Sequence, residues 1–499
     1  MAEVAVVGAG LGGLSSAIHL AARGYSVTVL EAGEGPGGKA GVTHVGGLEL
    51  DTGPSLLTLP DVFDETLRAA GTSLAEEVTL RELSPAFLYL WPDGTRLALE
   101  RDPQASLDRV REALGGEAAS DLQSFMRYAE RIWREAAPRF VRGPAPSLRQ
   151  LLALSSLRAM AAIDPLRTMA QAIDAQVRSP HLRDVLWRYA TYNGSDPRRA
   201  PATLSCIAHV DLAEGGLGGE GGVAALVRAL VRAGERLGVR YRFGARVQAI
   251  EIERSISRSH VRGVRLAGGE RVRAAAVVAN ADVAHVGETL APKAVARGGP
   301  PSMSAYNAIV RAQDDPSRVA HTVLFPSRYE AELADIFDRD RPPREPAVYV
   351  CAQARAHARG RFEGGAEPLF VMANCPPEPE HGSRSQDTWH ALRARVIERL
   401  QKARLIHSGD AIVWERTPAD LARRFPGSRG ALYGAASISR TSAFVRPPNR
   451  ARGVRGLYFA SGSAHPGGGM PLCVLSGRAA ADALCADLGG RALDRARSA

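Results

Sequence analysis

Two glycine-rich stretches near opposite ends of this 499-residue sequence hold the residue types best suited to chemistry. Near the start, Gly8-Ala9-Gly10-Leu11-Gly12-Gly13 fits G-x-G-x-x-G. Gly8 permits a tight turn, Gly10 leaves room for a pyrophosphate against the backbone, and Gly13 lets a helix lie close to the strand before it. The start of that helix presents unpaired N–H groups and partial positive charge to phosphate. Glu31 lies 18 residues beyond Gly13, where a carboxylate accepts both hydroxyls of a ribose and disfavours a 2′-phosphate. Gly37-Gly38-Lys39 adds more backbone donors and a balancing cation for a diphosphate. Near the other end, Gly467 to Gly469 would let the chain pass close to a flat ring system. A helix starting at Met470 to Leu472 would aim its N-terminus at that ring, and Pro471 suits its first turn.

The elements that must position these residues are legible around them. Val4 to Val7 is an apolar run expected to form a buried parallel strand. Leu14, Ala17, Ile18 and Ala21 repeat at helical spacing, Gly24 ends that helix, and Ser26 to Leu30 is a second strand. The same order returns at the other end: a strand at Gly456 to Ala460, the glycine loop, and a helix to Leu488. Between them the pattern predicts helices and loops from Asp61 to Gln150, with a proline-rich break at Arg142 to Ser147, then a long helical region from Leu148 to Ala190. Strands are expected at Arg240 to Glu253, Val261 to Leu266 and Arg273 to Ala279, short strands within Val310 to Asn374, and a helix over Gln386 to Arg404.

Together with Gly37-Gly38-Lys39, the segment Asp51-Thr52-Gly53-Pro54-Ser55 resembles the amine-oxidase-like flavoprotein superfamily, specifically its phytoene-desaturase-type enzymes. The run Gly456 to Leu472 resembles the C-terminal flavin-binding signature of carotenoid desaturases, and Leu475-Ser476-Gly477-Arg478-Ala479-Ala480 continues the match. Asn193 to Thr203 is similar to a substrate-domain stretch of the same enzymes, and its wording, with Ser461 to Cys473, is closer to hydroxycarotenoid 3,4-desaturases than to phytoene desaturases. The resemblance implies an α/β fold, a discontinuous Rossmann-like FAD-binding domain with a second α+β substrate domain. The former would take residues 1–85, 210–290 and 425–499, and the latter, facing a membrane, 86–209 and 291–424. It implies FAD as cofactor, bound by Gly8, Gly10, Gly13, Glu31, Gly38, Lys39, Asp51, Gly53, Val247, Gly462, Gly468, Met470 and Leu472. Lys39 stands where the family usually has arginine; a point charge still binds phosphate but gives up the bidentate fork. The implied reaction introduces a C-3,4 double bond into a 1-hydroxylated acyclic carotenoid. The alternatives are phytoene desaturation, carotenoid isomerisation or oxygenation, and amine oxidation on the same fold. His465, in the C-terminal glycine loop, is the candidate catalytic residue; the competing role is to hold that loop in place.

Composition bounds the rest. A chain this long favours two domains, and 45% apolar with 23% charged residues describes an ordinary folded protein. No apolar run is long enough to span a membrane, and acidic Glu3 replaces a basic leader. Cys206, Cys351, Cys375, Cys473 and Cys485 lack metal or disulfide spacing, as expected of a reducing cytoplasm, and no metal site is predicted. The net charge of +10 is almost wholly arginine, with lysine only at 39, 293 and 402. No basic run interleaves with stacking aromatics, which argues against nucleic acid. Leu148 to Met169, apolar with Arg149, Arg158 and Arg167, reads either as core helices or as an interfacial segment. The expected setting is peripheral, on the inner face of the cell membrane, with a hydrophobic carotenoid as substrate and an unidentified electron acceptor.

Overall fold

In the computed structural model, which describes residues 2–146, 162–254, 259–292, 299–437 and 446–497, Glu3–Val7 is the middle strand of a five-stranded parallel sheet. Its neighbours are Ser26–Leu30 and then Arg240–Arg242 on one side, and Ala276–Ala279 and then Leu457–Phe459 on the other. Val4 and Val6 face the helices Leu11–Ala21, Gly222–Arg236 and Met470–Arg497, whereas Ala5 and Val7 face an antiparallel layer built from Val247–Arg254 and Ser259–Leu266. Both faces of the strand are therefore dry, which is why it reads as an unbroken apolar run and not as an alternation.

The second body is a seven-stranded mixed sheet in the order Ala411–Arg416, Ser304–Ala312, Glu367–Cys375, Val348–Ala352, His321–Leu324, Phe87–Leu90, Arg96–Leu99. Helix Gln386–Lys402 covers one face through Trp389, Leu392 and Val396. The other face packs against a helical layer that includes Gly116–Ala136, Pro180–Arg188 and Cys206–Glu214.

Three expectations give way. The stretch from Asp61 to Gln150 is not all helix and loop, because Phe87–Leu90 and Arg96–Leu99 form a hairpin turned at Pro92-Asp93-Gly94. Phe87 and Tyr89 alternate inward there, a period of two inside a mostly helical stretch. Residues 148–161 of the expected Leu148 to Ala190 helical region lie outside the described residues. The remainder is short helices, Met169–Asp174 and Pro180–Arg188, with Pro180 opening the second. The expected strand Arg273 to Ala279 divides between two sheets: the Ala274 N–H bonds to Arg262 O in the antiparallel layer, and the Ala275 N–H to Glu3 O in the parallel one. Among the described residues no helix is long and apolar enough to cross a membrane.

Candidate functional site

The two glycine loops meet at the ends of the parallel strands. Gly8 turns at φ 101°, and its N–H donates to Leu30 O at 2.8 Å. The absent side chains have definite neighbours. A Cβ at Gly13 would strike Gly8 O, one at Gly12 would strike Ala460 O, and one at Gly10 would lie 2.6 Å from Asn280 Oδ1. Gly13 thus sets the close helix–strand approach that its motif demands. Gly12 admits the C-terminal strand end, and Gly10 is tight against Asn280. Asn280 is the residue that sequence reasoning passed over. It follows the strand Ala276–Ala279, its N–H donates to Val7 O at 2.8 Å, and its Nδ2 donates to Ala460 O, so one amide ties three segments together. Its position directly after a parallel strand was the available signal.

Glu31 is held ready beside the loop. One carboxylate oxygen accepts the Ala9 N–H and the other the Gly33 N–H, both at 2.7 Å. The chain then returns: the Gly37 N–H donates to Ala9 O at 2.8 Å, and a Cβ at Gly38 would sit 3.4 Å from Gly10 Cα. Gly53 lies on the backbone of Lys39, leaving no space for a side chain. Val247 is buried two residues past Ala245, whose N–H donates to Glu31 O at 2.8 Å. Asp51 faces away from the first loop. Its Oδ1 accepts the Ala224 N–H in the first turn of helix Gly222–Arg236, its Oδ2 lies 3.4 Å from Arg359 Nη2, and its peptide pairs with both ends of the Gln353 amide. Burial raises its carboxyl above the usual range despite Arg359.

At the C-terminal loop, Gly468 packs against Tyr433, Gly462 lies 3.2 Å (as a built Cβ) from Gly468 Cα, and Gly467 lies against the Arg446 guanidinium. Met470 and Leu472 begin the helix and pack into the core shared with Leu11 and Leu14. The Cys473 N–H donates to Gly469 O, and burial pushes its thiol up to about 11. His465 is buried, and its Nε2 lies 2.9 Å from Gly143 O, a pure acceptor, so Nε2 carries the proton. Burial pulls this imidazole below its ordinary pKa, while the bond to Gly143 opposes the shift.

Three cations converge here without ion pairs among the described residues. Lys39 Nζ donates to Ala431 O at 2.7 Å and Leu432 O at 3.2 Å, and burial lowers its pKa while Asp282 opposes the shift. Arg416 is 6% exposed, donates to Thr52 O, and has no hydrogen-bond partner for Nε. Arg446 is 9% exposed and donates to Asn193 Oδ1 at 2.9 Å. Burial depresses both guanidinium groups to about 10, with Arg424 adding to the shift at Arg416. Buried cations left short of anions, beside loops stripped of side chains, fit a dinucleotide diphosphate.

The comparisons with known proteins agree with this geometry. Residues 11–313 match the family model described as flavin containing amine oxidoreductase. The hydroxyneurosporene desaturase of Rubrivivax gelatinosus is 34% identical over 505 residues, covering 97% of this chain and 94% of that protein. The 4,4'-diaponeurosporene oxygenase of Staphylococcus aureus strain USA300 is 29% identical, covering 96% and 97%. Among solved structures, cyclohexylamine oxidase from Brevibacterium oxydans IH-35A superposes with a TM-score of 0.59 at 17% identity, over 98% of this chain and 99% of that one. An oxidoreductase from Methanosarcina mazei gives 0.59 at 17%, over 96% and 100%. At such identities these structures establish the fold alone. The chain belongs to the flavin-containing amine oxidoreductases, in their carotenoid-desaturase branch, and is an FAD-dependent oxidoreductase.

Proposed function

We propose that the enzyme introduces a C-3,4 double bond into a 1-hydroxylated acyclic carotenoid. The observation that carries this is relatedness at 34% identity, nearly end to end on both chains, to a hydroxyneurosporene desaturase. Phytoene desaturation and the other reactions of the fold remain as the alternatives to be tested against it.

The residues fit the cofactor in the following roles. Gly8, Gly10, Gly13 and Gly38 bring backbone close to the diphosphate, Glu31 takes the ribose hydroxyls, and Lys39 with Arg416 and Arg446 balances phosphate charge. Val247 borders the adenine, Asp51 and Gly53 fix the segment behind Lys39, and Gly462, Gly468, Met470 and Leu472 shape the ring-binding loop. Bound FAD supplies a hydride acceptor at N5. The protein's share is to orient one C–H bond toward that acceptor and to leave the neighbouring carbon within reach of a water molecule that takes its proton. The unpaired N–H groups at the start of helix Met470–Arg497 favour negative charge on the acceptor side. With Nε2–H committed to Gly143 O, His465 acts as a positioning residue for the loop. The two electrons then pass to an acceptor yet to be identified.

This reading includes the division into an FAD-binding part, 1–85, 210–290 and 425–499, and a substrate part, 86–209 and 291–424. It is supported by a parallel sheet drawn from 3–30, 240–279 and 457–459 and a mixed sheet drawn from 87–99 and 304–416. It also includes a peripheral site on the inner face of the membrane, where an apolar polyene is dissolved. Sedimentation with anionic liposomes that weakens at high salt is the expected result.

The deciding experiment offers phytoene, lycopene and a 1-hydroxylated lycopene-type carotenoid separately to FAD-loaded protein without oxygen. Flavin bleaching and a red-shifted product are expected with the hydroxylated polyene. Efficient conversion of phytoene would overturn the substrate assignment.

A further inference from the structure

A second set of buried polar groups lies in the substrate part, linked through Asn193 and Gly194 to the C-terminal glycine loop. Arg188 ends helix Pro180–Arg188 and is only 8% exposed. Its guanidinium sits among rings, 5.4 Å from the centroid of Tyr192, 5.8 Å from Phe87 and 6.0 Å from Tyr349. Among the described residues it has no carboxylate at ion-pair distance, and its side-chain hydrogen bond is a long one, Nη1 to Tyr192 Oη at 3.4 Å. Tyr192 Oη in turn donates to Asp211 Oδ2 at 3.4 Å. Asp211 is 3% exposed, and its Oδ1 has no hydrogen-bond partner; neither do Tyr89 Oη and Tyr189 Oη, both fully buried. Packing alone accounts for the aromatic residues of this cluster but not for a cation and a carboxylate buried together with their bonds incomplete.

The cluster adjoins the glycine loop. Tyr189–Asn193 continues from Arg188 as a short helix, Gly194 packs against Tyr433, and Tyr433 packs against Gly468. Arg446 closes the connection by bonding Asn193 Oδ1 beside Gly467. The chemistry of the pair is selective. A guanidinium only donates and a carboxylate only accepts, so together they match a group that does both, which is what an alcohol does. Their charges cancel, so a neutral guest is admitted, while an anionic guest meets Asp211. A bare hydrocarbon end leaves both groups unpartnered, so it is bound less well than the alcohol.

We propose that Arg188 and Asp211, joined through Tyr192, receive the terminal hydroxyl of the carotenoid and set the enzyme's preference for it. This rests on the desaturase reading above. In a 1-hydroxylated chain oxidised at C-3,4 the hydroxyl-bearing carbon is two bonds from the nearer reacting carbon, so its receiver must lie beside the reaction site. The link from the cluster through Gly194 and Tyr433 to Gly468 points the receiver toward that site.

The test compares FAD-loaded wild type, Tyr192→Phe and the double variant Arg188→Met/Asp211→Leu on two probes in lipid vesicles. One probe is a 1-hydroxylated acyclic carotene and the other is the same hydrocarbon without the hydroxyl. The double variant removes both buried charges at once and should keep its fold. The KM for the alcohol should rise about tenfold to hundredfold in the double variant and less in Tyr192→Phe, while the KM for the hydrocarbon falls in the double variant and the bound-flavin spectrum stays unchanged. Variants that hold flavin and keep the wild-type preference would overturn the assignment of this cluster and leave the desaturase reading intact. Wild type that turns over neither probe would overturn both. Should the double variant fail to retain flavin, Tyr192→Phe decides, since losing one phenolic oxygen leaves the ring packing in place.

Discussion

Arg318 and Arg416 are both buried guanidinium groups, and the structure treats them in opposite ways. The Arg318 side chain is 1% exposed, and its Nη1 lies 2.7 Å from Glu367 Oε2, whose partner oxygen accepts Arg355 Nε at 3.0 Å. Arg355 reaches on to Asp314 at 3.0 Å, so the charge is balanced within the protein. Arg416 has a backbone carbonyl and no carboxylate at ion-pair distance among the described residues, and burial pulls it down to about 10. A buried cation with its own anion is part of the scaffold. Arg416 lacks such an anion, and on the reading proposed above the diphosphate of the cofactor would supply it. The same holds for Arg446 and Lys39, which share the site.

Substitutions can break this contrast. The largest effect belongs to Arg318→Met, which strands Glu367 and should cost about 3–5 kcal/mol of unfolding free energy, read as a lowered urea midpoint with or without FAD. Glu31→Ala comes next, weakening FAD by about 1.5–3 kcal/mol in an equilibrium titration, because the ribose hydroxyls and the Ala9 and Gly33 N–H groups lose an ionised acceptor. Arg416→Gln should weaken FAD by about 1.5 kcal/mol, one charge-assisted hydrogen bond, and leave the urea midpoint of the apoprotein unlowered. An apoprotein as damaged as Arg318→Met would make Arg416 scaffold and dissolve the contrast.

A pH series sharpens it from the side of neutral groups. His321 Nδ1 shares a hydrogen bond with Tyr349 Oη at 2.8 Å, and burial, helped by His357 and Arg188, holds it down to about 3. Below its ordinary value of 6.5 the unfolded chain takes up a proton here that the folded chain does not, so folding loses stability as pH falls. The deficit of His321→Gln relative to wild type should therefore shrink by about 1.4 kcal/mol per pH unit below 6.5, down to about 4. A deficit that stays constant with pH would mean that the imidazole is charged in the folded state.

What the sequence revealed and what it concealed divide along a physical line. The loop Gly8 to Gly13, Glu31 and the loop Gly467 to Gly469 were legible because each acts through its own backbone and immediate neighbours. Lys39 was legible as a cation, but its bonds to Ala431 and Leu432 were not, since they join segments nearly four hundred residues apart. Arg416 and Arg446 escaped notice for the same reason: among so many arginines, only the fold shows which ones lack a carboxylate. Asp51 lay inside a recognisable motif, yet its carboxylate serves the first turn of helix Gly222–Arg236 and Arg359. The hairpin Phe87 to Leu99 was hidden in a mostly helical stretch because its strands are only four residues each.

The parallel sheet has a consequence for how the molecule comes into being. Glu3–Val7 pairs with Ala276–Ala279, which pairs with Leu457–Phe459, and Gly477 lets the last helix press on the first at Gly12 and Ser15. The parallel sheet is therefore incomplete until Leu457–Phe459 has been made. A nascent chain stopped before Leu457 carries Ala276–Ala279 as a naked edge, and long-range parallel pairing of this kind closes slowly. The mixed sheet, by contrast, has all its strands by Arg416 and can set first. A chain truncated before Leu457 is accordingly expected to fail to retain FAD.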